Sequence, residues 1–453
     1  MVVFDDHILI FSDKDCRFGA GPRLELEWAR WYRKAVRDSA RQVRGAERWI
    51  RSFPHRLFLD RNCSIPFPID LPDPAKAVFH RIIVAHDVSQ ACQDRIGGSG
   101  SLMLDTALIG DAHCSGVPFT IGHVDPQRGY IHVLDDTTLD ILMSTLDTIS
   151  DFVAYLSKKE RFLTGSRVIH AAGEEELLAV YLTKMNKSGE HDFVIGRTGD
   201  YDVLTFAEGI WERFANSPER RAQAERDRIS YAWDRLIEKF AFHAMTGTQY
   251  HRSGRPLREQ EAAFRLMARE PRTRRRMLAI SLHEVLERSV RSSRPWSARV
   301  DRPTNPAFPH YVFLFVKPRD ELTHAEYRTF RMNLLVGYCK VAKSKFADAK
   351  HIVGIATEAS LSESRSEDFL HIDASNWSLE DQVEATKLQQ EFGILKSTTA
   401  ELTREWEYPV DHEGKLRAKP PSRNSPCPCG SRKRFKNCHG KEIHSPKRGR
   451  HSR

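Results

Sequence analysis

The chain has 453 residues, 40% hydrophobic and 29% charged, a composition that excludes disordered and fibrous proteins and leaves room for two or three folded domains. No apolar run approaches the roughly 18–20 residues of a spanning helix, and MVVFDDHILIF at the N-terminus has acids inside its apolar stretch and no basic leader. The expected location is therefore cytoplasmic. The net charge of +9 is concentrated at one end: thirteen Lys or Arg against Glu442 alone give residues 415–453 a net of +12, which leaves about −3 on residues 1–414.

In chain order, Val2–Phe4 and Ile8–Phe11 read as a hairpin turned by Asp5, Asp6 and His7. A long amphipathic helix follows, with Trp28, Tyr32, Val36, Val43, Ala46 and Ile50 on its inward stripe and its end near Pro54. Phe79–Ala85 is a buried strand, Gly97–Ser101 a loop, and Phe119–Ile121 with Tyr130–Leu134 a second hairpin around Asp125–Gly129. From Thr137 the positions Leu139, Leu142, Leu146, Ile149, Val153 and Leu156 step by three and four along one helix face. Residues 174–290 read as almost wholly helical, and Pro295–Pro309 as a linker. Strand Tyr311–Val316, helix His324–Phe346, strands Ile352–Ile355 and Phe369–Ile372 and helix Leu379–Phe392 then alternate.

These elements predict a multidomain α/β (mixed α+β) protein. The expected division is an α/β domain at 1–165, a mainly helical region at 166–294, a small α/β unit at 310–400, a flexible linker at 408–423, a zinc knuckle at 424–440 and a basic tail at 441–453. Five cysteines (Cys16, Cys63, Cys92, Cys114, Cys339) are scattered without pattern and read as buried apolar side chains, with no disulfides expected.

The other three cysteines form a metal-binding pattern. Cys427 and Cys429 stand one residue apart, Cys438 is next to His439, and eight residues separate the pairs, so four ligands can close around one tetrahedral zinc ion. Gly430 and Gly440 allow the chain to turn after each pair, and Arg432, Lys433, Arg434 and Lys436 offset the charge of about −1 left by three thiolates on a divalent cation. A set of four protein ligands has no open position for substrate, which predicts structural Zn2+. The segment resembles the SEC-C motif, the zinc-binding element named for the C-terminus of the SecA translocation ATPase; Pro426, Pro428, Ser431, Lys433, Lys436 and Gly440 fit its pattern, while Arg432 and Phe435 replace a common glycine and tyrosine. The resemblance implies a docking element for an acidic protein such as a SecB-like chaperone, or for the ribosome or RNA. It does not imply a motor, since no G-x-x-x-x-G-K-[ST] phosphate loop occurs in the chain.

Upstream, Ser12-Asp13-Lys14 at the end of the first hairpin and Gln42 on the following helix resemble the arrangement of PD-(D/E)XK nucleases. That resemblance implies Mg2+ held by Asp13 with Asp6, Lys14 placing the attacking water, and Gln42 assisting. It departs from the pattern in having Ser12 at the usual second-acid position, and it expects a further strand upstream of Met1. Gly97–Ser101 lacks the lysine of a phosphate loop, His113-Cys114 would point to opposite faces of a strand, and of the twenty histidines only His439 has ligand company in the sequence.

Overall fold

The computed structural model describes residues 1–195, 202–251, 257–362 and 365–410 except 402 and 404, together with 415, 424 and 434. A first sheet has the order β1-β2-β3-β6, with β1 (Val2–Phe4), β2 (His7–Asp15), β3 (Val78–His86) and β6 (His132–Leu134). β1 is antiparallel to β2, while β2, β3 and β6 run parallel. The hairpin is present, and its second strand extends through Asp15, past the expected end at Phe11.

Between β2 and β3 the chain forms α1 (Leu24–Trp31), a π-helical turn (Tyr32–Arg37) and α2 (Asp38–Ser52). The expected stripe buries Trp28, Tyr32, Val36, Val43 and Ile50 against Ile8, Ile10, Phe79 and Ile83. The indole N–H groups of Trp28 and Trp31 are not orphaned by this burial. They donate to the carbonyls of His113 and Cys16, each at 2.8 Å.

A second sheet, β5-β4-β7-β8, holds β4 (Met103–Ile109), β5 (Thr120–His123), β7 (Val168–Ala171) and β8 (Val203–Phe206). The expected second hairpin is therefore corrected: β5 lies parallel to β4, whereas β6 lies parallel to β3 in the other sheet. Turn residues specify that the chain changes direction but not which strand it pairs with next, and Arg44 of α2 fixes this turn by donating to Gly129 O at 2.8 Å. α3 (Ser89–Ile96) precedes β4.

The helix expected from Thr137 is two helices, α4 (Asp136–Thr145) and α5 (Ile149–Leu163). Thr148 caps α5, its Oγ1 accepting from Asp151 N–H at 3.1 Å. The apolar stripe ran through the break because Leu142, Leu146, Val153 and Leu156 are buried on both sides of it. The stretch from 174 onward is likewise not all helix. After α6 (Glu174–Thr183), β8 adds to β7 in parallel, so the second sheet combines strands from before and after residue 165.

α7 (Ile210–Ala215), α8 (Pro218–Asp227), α9 (Tyr231–Thr246), α10 (Leu257–Ala268) and α11 (Arg272–Arg291) lead to the third sheet, β12-β11-β10-β9. Its strands are β9 (Trp296–Asp301), β10 (His310–Val316), β11 (His351–Glu358) and β12 (Glu367–Asp373). β9 occupies part of the expected proline-rich linker and pairs antiparallel with β10. β10 and β11 are parallel and joined through α12 (His324–Lys345); α13 (Leu379–Phe392) follows β12.

All seven residues of β10 are buried because both of its faces are covered. Tyr311, Phe313 and Phe315 pack with Trp233, Phe240, Met267 and Leu278 from α9 to α11, while Val312, Leu314 and Val316 pack with Leu335 and Cys339 of α12. Helices α9 to α11 thus form one layer over the third sheet.

Two compact units are defined, one comprising Met1–Asn216 with Asp227–Ser397, the other Ser217–Arg226 with Thr398–Arg453. Within the first, Arg269 donates twice to the Asp5 carboxylate at 2.6 and 2.7 Å, and Arg272 binds Asp147 and Asp234, both at 2.8 Å. Within the second, Gln223 donates to Glu407 at 3.1 Å. Of the scattered cysteines, Cys16, Cys92 and Cys339 are buried as expected, Cys114 is half-buried, and Cys63 is exposed at the tip of a turn.

Candidate functional site

The alternation of β2 decides where the N-terminal candidates point. Ser12 and Lys14 share the face carrying Ile8 and Ile10, on which α2 packs, and Ser12 Oγ donates to Gln42 Oε1 at 3.1 Å. Asp13 projects from the opposite face. The strand therefore separates Asp13 from Lys14 and Gln42. Asp6 lies in the turn before β2 and Asp13 near the end of that strand, about 20 Å away at 3.3 Å per residue, so the two carboxylates do not share one cation.

Asp13 instead accepts from His86, whose Nε2 lies 2.7 Å from Asp13 Oδ1. The other ring nitrogen of His86, Nδ1, meets Asp136 at the start of α4, and Asp136 also accepts from the Asp87 N–H at 3.0 Å. The Asp136 hydrogen bond, and then the one to Asp13, raise the pKa of His86. This partly exposed imidazole between two carboxylates stands at the C-terminal ends of parallel strands β2 and β3, the end at which open α/β sheets commonly place ligands. Neither His86 nor Asp136 was singled out by the sequence. They come from separate elements with no spacing to link them, and the only local signal was a polar residue closing a buried strand.

The other upstream candidates have structural roles. The loop at Gly97–Ser101 uses positive φ at Gly97, Gly98 and Gly100, and Ser99 donates to Glu175 at 2.7 Å. An acidic lining of this kind repels a phosphate. His113 lies in a 3-10 turn: its Nδ1 donates to Gly110 O at 2.6 Å and its Nε2 accepts from Gly122 N–H at 2.8 Å, so neither nitrogen is left to activate Cys114.

Buried ion pairs recur through the described residues, and two of them gather three charged or polar side chains each. Lys159 and Tyr155 both donate to Glu174 beneath the second sheet, and Arg328 and Arg331 of α12 both bind Asp368 of β12. Beside the latter, a cavity of about 290 Å³ is lined by residues including Tyr250, His251, Arg328 and Asp368.

The expected zinc ligands Cys427, Cys429, Cys438 and His439 lie outside the described residues, as does most of the expected linker. Comparison with protein families matches residues 423–441 to the SEC-C motif, a motif of zinc-binding type. No solved structure matches the chain. Among the described residues, no helix is long and apolar enough to cross a membrane.

Proposed function

We propose that the SEC-C module is a docking element, held in shape by structural Zn2+ on Cys427, Cys429, Cys438 and His439, through which the protein binds an acidic partner protein of the SecB-like chaperone type. The observation that carries this reading is the SEC-C match at 423–441. The charge distribution supports it, because the module lies in a segment of net +12 at the end of a chain whose remainder is about −3. A basic surface around a metal-fixed loop supplies both long-range attraction to an acidic face and a preorganised shape.

The test uses the full chain and a Cys427→Ser/Cys438→Ser variant, with binding to a purified acidic SecB-type chaperone measured at low and physiological salt. Binding should be lost in the variant and on chelation of the wild type, and should weaken with salt. Equal binding by variant and wild type overturns the reading, as does binding to RNA with none to the chaperone.

A further inference from the structure

The register of β3 and β6 pairs Ile82 with His132, and strand alternation then places His80 and His132 on one face of the first sheet. α5 brings Glu160 to the same point. One ligand atom from each of these side chains lies within 4.8 Å of the other two. His80 is 1% exposed and His132 fully buried, yet neither nitrogen of His132 has a hydrogen-bond partner, nor has Nδ1 of His80. Buried imidazoles normally satisfy their ring nitrogens, so two such histidines meeting beside a carboxylate call for a ligand that accepts nitrogen lone pairs.

We propose that His80, His132 and Glu160 form a second metal site, for a first-row divalent transition metal of the zinc type. Two imidazoles and one carboxylate are a donor set that zinc takes, whereas magnesium and calcium require oxygen. Bonds of about 2.0–2.2 Å place tetrahedral ligand atoms about 3.4 Å apart, which small side-chain rotations within the 4.8 Å cluster reach.

The surroundings fit in three respects. His80 Nε2 lies 2.9 Å from His7 Nδ1, an outer contact that orients the ring and leaves Nδ1 for the metal. Both imidazoles are buried, where desolvation disfavours the protonated ring. The nearby cations are already committed, Arg81 to Glu47 at 2.5 and 2.6 Å, Arg44 to Gly129 O at 2.8 Å and Lys159 to Glu174, so Glu160, which accepts from the Tyr130 backbone N–H, has no ion-pair partner among the described residues and can offset a metal's charge. β6 is a three-residue strand at the sheet edge, and a metal there would fasten it to β3 and α5.

The test is a Co2+ titration of the metal-stripped full chain. The wild type should take up an equivalent with weak ligand-field bands and no sulfur-to-metal charge transfer, separate from the thiolate-linked equivalent of the C-terminal module. A Cys427→Ser/Cys429→Ser/Cys438→Ser variant should retain only the former, and Zn2+ should raise its melting temperature. His132→Ala should lose it; because that residue is fully buried, Glu160→Gln, at a half-buried and nearly isosteric position, provides the second arm and should bind at least tenfold more weakly while its far-UV circular dichroism is unchanged. Absence of a thiolate-free equivalent in the wild type, or its full retention in Glu160→Gln, overturns the proposal.

Discussion

Replacing Asp368 with Asn tests how the third sheet is tied to α12. The Asp368 and Arg331 side chains are both fully buried, with Arg331 Nε 2.7 Å from Asp368 Oδ2, and Arg328 binds the other carboxylate oxygen. Asn preserves the shape and one acceptor but removes the charge, leaving the Arg331 guanidinium buried beside Ser366 Oγ at 3.0 Å, the Tyr327 side chain and Glu358 at 3.7 Å, with no carboxylate in direct hydrogen-bond contact among the described residues. Breaking a buried pair from one side typically costs about 3–5 kcal/mol, because the desolvated charge that remains is uncompensated. In a unit of this size, about 2 °C or less per kcal/mol translates this into a fall of up to about 10 °C in the melting temperature. Calorimetry and urea denaturation of Asp368→Asn should show it, and Arg331→Met/Asp368→Leu should recover most of the loss by removing both buried charges. A loss below about 1 kcal/mol in Asp368→Asn, or a double variant no more stable than the single one, would refute the reasoning.

Two further predictions concern other parts of the first unit. Burial raises the Glu270 carboxyl to about 7, so the folded state holds a proton that the unfolded chain releases near 4.5; stability should therefore fall as pH rises from about 4.5 to about 7, by an amount on the order of 3 kcal/mol. Glu270→Gln should abolish that fall and be the more stable protein at pH 8, as read by denaturation at pH 5 and 8; a variant with the wild-type pH profile counts against it. At Gly122 of β5, any Cβ would collide with the backbone carbonyl oxygens of Asp105 and Leu108, which cannot rotate away as a side chain would. Gly122→Ala should cost about 2–3 kcal/mol in thermal denaturation, and an unchanged melting temperature would show that β4 yields there.

The sequence alone determined whatever depends on neighbours along the chain. Spacings of three and four placed the stripe of α1 and α2, and the alternation of apolar runs along the chain marked α12, α13 and β10. The SEC-C motif was legible for the same reason, since its expected ligands Cys427, Cys429, Cys438 and His439 lie within thirteen consecutive residues. Tertiary structure decided everything that depends on pairing across distance. A turn motif could not reveal that β5 and β6 join different sheets, nor a proline-rich composition that β9 would complete a sheet edge. The placement of Asp13 against His86, away from Lys14 and Gln42, follows from a two-residue alternation that acquires a direction only once α2 covers one face. His80, His132 and Glu160 are isolated in the sequence, and only the parallel register of β3 and β6 with α5 alongside makes them neighbours.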